Sequence, residues 1–150
     1  MSVPVTTPEM VIIGAEAKTK DEIIRTLAER LVAAGRVTDI ETYIAAVHKR
    51  EESMATGIQG GIGIPHARSA AVTAPSVAVA VSHDGVPFGA PDGPAHLIFL
   101  IAAPDGADDS HLQILAAIAR RVMRDEFRDA LRNATDPAFI ADTMTKEVQQ

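Results

Sequence analysis

The chain reads as an α/β sandwich, a largely parallel or mixed sheet layered with helices, and three observations carry that reading. Strand-like and helix-like patterns alternate along the chain, as they do where helices cover a sheet. Residues 77–82 alternate Val and Ala, and residues 95–103 are almost continuously apolar. Such runs suit strands covered by helices. Finally, 47% of residues are apolar yet 3% are aromatic and none is Trp. The core must therefore be built from Ala, Val, Ile and Leu, which favours close helix-on-sheet packing.

The elements follow in order. Residues 10–13 form a short apolar run closed by Gly14, a strand. Thr19, Lys20, Asp21 and Glu22 make a capping box in which Thr19 accepts from the Glu22 backbone N–H. Ile23, Ile24, Leu27, Leu31 and Val32 then recur at helical spacing, and Gly35 stops the helix. A second helix starts at Asp39 and runs to about Arg50. Between Thr56 and His66 the glycines Gly57, Gly60, Gly61 and Gly63, with Pro65, exclude a helix and predict a loop feeding a brief extended segment. The strands at 77–82 and 95–103 are separated by turn chemistry at His83-Asp84-Gly85 and Pro91-Asp92-Gly93. A third helix opens at Ser110, with Gln113 completing a capping-box pattern. A short helix at 126–132 and a last one begun by Asp136-Pro137 complete one domain over residues 1–150.

Composition excludes several functions. A formal net charge of −6 argues against nucleic acid or an anionic membrane as the partner. With no Cys, disulfides and thiolate chemistry are out. The longest apolar stretch, 97–103, is too short to span a bilayer, and the first eight residues lack a signal-peptide pattern, so a cytoplasmic setting is expected. No histidine pair has the His-x-x-x-His spacing of a helical zinc site, and no Gly-Lys-Ser/Thr loop is present. Neither a metal nor a cofactor is expected, and ATP is not the expected phosphoryl donor.

His66 is the leading chemical candidate. Pro65 restricts the backbone before it, and the upstream glycines allow an anion-binding nest of N–H groups. A neutral imidazole nitrogen is a good nucleophile towards phosphorus. The same pattern also suits a turn histidine satisfying a carbonyl. His111 falls in the first turn of a helix, where the macrodipole favours an anion. A plain surface histidine fits there too. Arg50 has the planar fork that binds phosphate oxygens, or belongs to a solvated charged face.

Read together, Arg50-Glu51-Glu52-Ser53-Met54-Ala55-Thr56-Gly57-Ile58-Gln59-Gly60-Gly61-Ile62-Gly63-Ile64-Pro65-His66 resembles the signature of the enzyme IIA domain of the phosphoenolpyruvate-dependent sugar phosphotransferase system, fructose/mannitol type. Asp92-Gly93, Pro104 and Ser110-His111-Leu112-Gln113-Ile114-Leu115 agree with it. The resemblance implies a three-layer sandwich, a mixed, mostly parallel sheet with helices on both faces. It implies that His66 takes a phosphoryl group as a tele-phosphohistidine from the carrier protein HPr and passes it to a cysteine of enzyme IIB, with the membrane permease IIC engaged indirectly. His111 and Arg50 would contact the phosphoryl group, and Thr56 and Gly57 would support the loop. The overall look is most like the fructose-specific branch. A regulatory, nitrogen-related homologue and a phosphate or phosphosugar binding module are the rival readings. Exposed Ile58 or Phe88 is expected in the partner patch. Gln59 and Gly63 depart from the family pattern, which usually has Gly and a residue such as Ala or Val there.

Overall fold

The computed structural model describes residues 4–105 and 110–148, with only the backbone of Ser110 and His111. A 3-10 turn, Pro8–Met10, leads into strand β1, Val11–Ile13. Helices α1, Lys20–Ala33, and α2, Ile40–Ser53, follow. Thr19 accepts from Glu22 N–H, and Asp39 accepts from Thr42 N–H, so each helix begins where a side-chain oxygen satisfies an orphan donor. Glu22 turns its carboxylate to the Thr19 hydroxyl at 3.1 Å, completing the box through the side chain. Gly35, at φ +76°, ends α1.

The predicted extended segment resolves into strands β2, Gly57–Ile58, β3, Ile62–Gly63, and β4, His66–Ser69. Strand β5 spans Ser76–Val86, running through the predicted His83-Asp84-Gly85 turn with an irregular register between Val81 and Val86. Strand β6 is Ala95–Pro104. Helices α3, Ser110–Arg121, α4, Asp125–Arg132, and α5, Pro137–Val148, finish the chain.

The described strands form one mixed sheet in the order β1-β5-β6-β3-β2, with β4 also on β6. Pairings β1–β5, β3–β6 and β4–β6 are parallel; β2–β3 and the long β5–β6 pairing are antiparallel. The alternation in β5 and β6 sorts their side chains into two cores. Ala78, Ala80, Ile98, Leu100 and Ala102 face α1 and α2, where Ile23, Leu27, Leu31, Tyr43 and Val47 pack. Val77, Val79, Val81, Leu97, Phe99 and Ile101 face α3, α4 and α5. Helices thus cover both faces. Each fully buried Leu or Ile contributes roughly 1.5–3 kcal/mol. Tyr43, wholly buried, donates its hydroxyl to the Ile101 carbonyl at 2.9 Å, and burial pushes its phenol far above the usual range.

One detail of the sheet positions the site. Ile62 pairs with Leu97 and His66 pairs with Ile101, so β3 and β4 keep one register across Pro65. Ile62, Ile64, His66 and Arg68 therefore share the face towards α3, while Gly63, Pro65 and Ala67 share the other.

Candidate active site

His66 lies at the start of β4, the strand that flanks β6 beyond the reach of the β2–β3 hairpin. The ladder Gly57–Gly63 extends one step, with Ile64 N–H donating to the Thr56 carbonyl at 3.1 Å. Beyond that point no outer strand takes the Ile64 carbonyl among the described residues. The imidazole takes it instead: His66 Nδ1 is 2.9 Å from that oxygen. A carbonyl only accepts, so the neutral ring carries its proton on Nδ1. Nε2 then presents its lone pair, and it is buried with no hydrogen-bond partner among the described residues.

A cleft of about 430 Å³ adjoins the ring, lined by Lys49, Arg50 and Ser53 of α2, His66 and Arg68 of β4, and Leu112 and Leu115 of α3. Among the described residues, three side chains in this lining are cationic and none is acidic, in a chain whose net charge is −6. The first turn of α3 stands at the same cleft and adds the positive end of its dipole. An oxyanion is the ligand chemistry that such an enclosure favours.

The sequence-predicted residues fare differently. Arg50, in the last turn of α2, and His66 are brought to one cleft. His111 opens α3, whose next turn lines that cleft, but its side chain lies outside the described residues, as do residues 106–109 of the preceding loop. Thr56 and Gly57 hold the strand leading to His66. Gly57 donates its N–H to the Phe88 carbonyl at 3.1 Å, and a Cβ there would lie 2.6 Å from that oxygen.

Two expectations need correcting. The glycines do not form a nest at His66. Gly60 and Gly61, at φ +95° and +75°, turn the β2–β3 hairpin at the far end of β3, and Gly60 N–H binds Asp92 Oδ2 at 3.0 Å. Phe88 is fully buried rather than exposed, and Ile58 is half-buried. The Phe88 ring fills the space that a side chain at position 63 would occupy, 2.9 Å from an added Cβ, which explains why Gly63 stands there. Leu112, 52% exposed, is an exposed apolar residue in the cleft lining, and Met54, 74% exposed, follows Ser53 in the chain.

Arg68, Lys49 and Ser53 were missed. The signal for Arg68 was available: two residues past His66 on one strand means the same face. Lys49 and Ser53 needed the packing of α2 against β4. The other histidines stay outside the site. His48 Nε2 is 3.3 Å from Asp21 Oδ1, His96 Nδ1 is 2.9 Å from the Ser82 carbonyl, and His83 is exposed on β5. Among the described residues, no group of His, Asp and Glu is placed to hold a metal.

Comparison with known proteins supplies the identity. Residues 4–147 match the family described as "Phosphoenolpyruvate-dependent sugar phosphotransferase system, EIIA 2". The chain belongs to this EIIA family. A fructose-specific EIIA component of Haloferax volcanii is 37% identical over 146 residues, covering 97% of this chain and 95% of that one. The fructose-specific EIIABC component of Bacillus subtilis is 38% identical over 93% of this EIIA chain, which spans 22% of that relative's length. A nitrogen regulatory protein of Pseudomonas aeruginosa is 31% identical over 85% of this chain and 84% of its own. Among solved structures, the complex of enzyme IIA(Mtl) and phosphorylated enzyme IIB(Mtl) of Escherichia coli matches with a TM-score of 0.78 and 25% identity, covering 94% of this EIIA chain and 97% of that one. The mixed α/β sandwich is therefore the EIIA fold, and the chain is a phosphocarrier domain of the phosphotransferase system. Among the described residues no helix is long and apolar enough to cross a membrane.

Proposed function

We propose that this EIIA domain accepts a phosphoryl group from phospho-HPr on Nε2 of His66 and passes it to a cysteine of enzyme IIB, serving fructose uptake at the cytoplasmic face. One observation carries the reading: His66 Nδ1 is tied to the Ile64 carbonyl while Nε2, unpartnered, sits at a cleft lined by Lys49, Arg50 and Arg68.

The chemistry needs no proton transfer. The Nε2 lone pair attacks phosphorus in line as the N–P bond of the carrier's phosphohistidine breaks, and the carrier imidazole leaves with that electron pair. His66 keeps its proton on Nδ1. The phosphorylated ring gains positive character, which strengthens the bond to the Ile64 carbonyl and keeps the new N–P bond labile for onward transfer. Lys49, Arg50, Arg68 and the start of α3 offset the charge on the equatorial oxygens, and we propose the same role for His111. Leu112 and Met54 supply the apolar centre of the docking surface.

The fructose assignment is supported by the fructose-specific relatives, and enzyme IIB as recipient by the mannitol-type complex. A regulatory role is the second reading, favoured by the nitrogen regulatory relative that matches over most of its length. Intact-mass measurement after incubation with phosphoenolpyruvate, enzyme I and HPr tests the proposal. One acid-labile phosphoryl adduct is expected on the wild type and none on His66→Ala; an equal adduct on the variant overturns it. Onward transfer to a cysteine of a fructose IIB separates transport from regulation.

A further inference from the structure

Several buried polar side-chain atoms lack a hydrogen bond: those of His48, Glu51, Thr56 and His66. Two of these groups have a charged neighbour: Glu51 Oε1 lies 2.9 Å from Lys20 Nζ, and His48 Nε2 lies 3.3 Å from Asp21 Oδ1. Nε2 of His66 is the nucleophile. The Thr56 hydroxyl remains, a buried donor with no acceptor among the described residues.

Its place in the sheet gives it a recipient. The Thr56 carbonyl takes the Ile64 N–H at 3.1 Å, continuing the antiparallel register in which Gly57 faces Gly63 and Ile58 faces Ile62. Gly57 and Gly63 both turn their Cβ positions towards Phe88. By alternation Thr56, Ile64 and His66 share the opposite face, and Ile58, Ile62 and Ile64 are indeed found in the core beneath α3. Thr56 thus stands opposite Ile64, two residues before His66 on that face, and diagonal neighbours across a ladder, about 7–8 Å apart at Cα, can converge on one group. Ser53, three residues before Thr56, lines the cleft.

We propose that the Thr56 hydroxyl is a further ligand of the phosphoryl group on His66, donating a hydrogen bond to one of its oxygens. This rests on the reading of His66 as the phosphorylated residue. The hydroxyl is orphaned because its acceptor arrives with the substrate. Leaving a buried donor unmet costs stability in the resting domain, and that cost is recovered when the charged oxygen is present. A donor preorganised at the point where charge accumulates acts on the transition state as well as on the phosphorylated product.

Thr56→Val keeps the shape and removes the donor; Thr56→Ser keeps the donor and removes a methyl; Thr56→Ala removes both. Transfer from phospho-HPr, the hydrolysis rate of the phosphohistidine and its phosphorus NMR resonance are compared with thermal unfolding. Thr56→Val should accept phosphoryl about 10- to 100-fold more slowly, lose it faster and shift the resonance, while its unfolding midpoint equals or exceeds that of the wild type. Thr56→Ser should stay within a few-fold of wild type. Wild-type transfer and resonance in Thr56→Val overturn the proposal, and so does a Thr56→Ser variant as impaired as Thr56→Ala, which would mean that the methyl acts by packing. A wild type that takes no phosphoryl group overturns the underlying reading of His66 with it; a labelled wild type beside an unaffected Thr56→Val overturns Thr56 alone.

Discussion

Replacing Gly63 by Ala should destabilise this chain. The added Cβ would lie 2.9, 3.0 and 3.1 Å from Cγ, Cδ1 and Cδ2 of Phe88, inside the 3.4 Å at which ordinary contact begins. Neither side can retreat easily. Gly63 is paired to Ile98 on one edge and to Gly57 on the other. The Phe88 ring is fully buried, with Lys20 Nζ 5.3 Å from its centroid. Overpacking of this kind costs about 1–3 kcal/mol. For a chain of 150 residues that is a fall of about 2–12 °C in the thermal midpoint, at about 2–4 °C per kcal/mol. Far-UV circular dichroism of thermal and urea unfolding measures it. Phe88→Leu should recover part of the loss, so the double variant should be less destabilised than the sum of the singles. An unchanged midpoint for Gly63→Ala, or strict additivity with Phe88→Leu, would refute the account of Gly63 as a residue dictated by the ring.

Tyr43→Phe should cost about 1 kcal/mol in urea unfolding, because the Ile101 carbonyl loses its buried phenol donor; no change would show that bond to be dispensable. Acid should destabilise the fold from the ordinary carboxylate range downward. Asp39 is held below its usual value by the Thr42 hydroxyl and then its N–H, Glu41 by Arg25, and Asp84 by Lys18. Since the unfolded chain takes up protons first, the stabilisation is full above the ordinary values and lost as pH falls through the lowered ones. Added salt should weaken the Arg25–Glu41 and Lys18–Asp84 part and spare the Asp39 cap, measurable as urea midpoints against pH at two ionic strengths. Leu112→Asp should raise KM for transfer to the partner about tenfold while leaving the unfolding midpoint unchanged, since an acid near the start of α3 suits its dipole. An unaltered KM would remove Leu112 from the docking surface.

What the sequence determined by itself is whatever depends on neighbours in the chain. Thr19 and Asp39 start their helices because a cap is a contact within four residues. The Val/Ala alternation of β5 divides the two cores because strand periodicity is local. The run from Arg50 to His66 pointed to the family because its residue order survives without the fold. The rest needed contacts between distant residues. Only the sheet decided that the Ile64 carbonyl, with no outer strand to take it among the described residues, would meet His66 Nδ1. Only packing turned Phe88 inward against Gly63, and drew Gly60 to Asp92 and away from the histidine. Lys49 and Ser53 of α2 meet Arg68 of β4 and Leu112 of α3 at one cleft, a meeting of elements distant in the chain. Backbone groups are anonymous in a sequence: each residue but proline has the same donor and acceptor, and which of them stays unpaired is settled by the ladder. The tautomer of His66 is set by one such group.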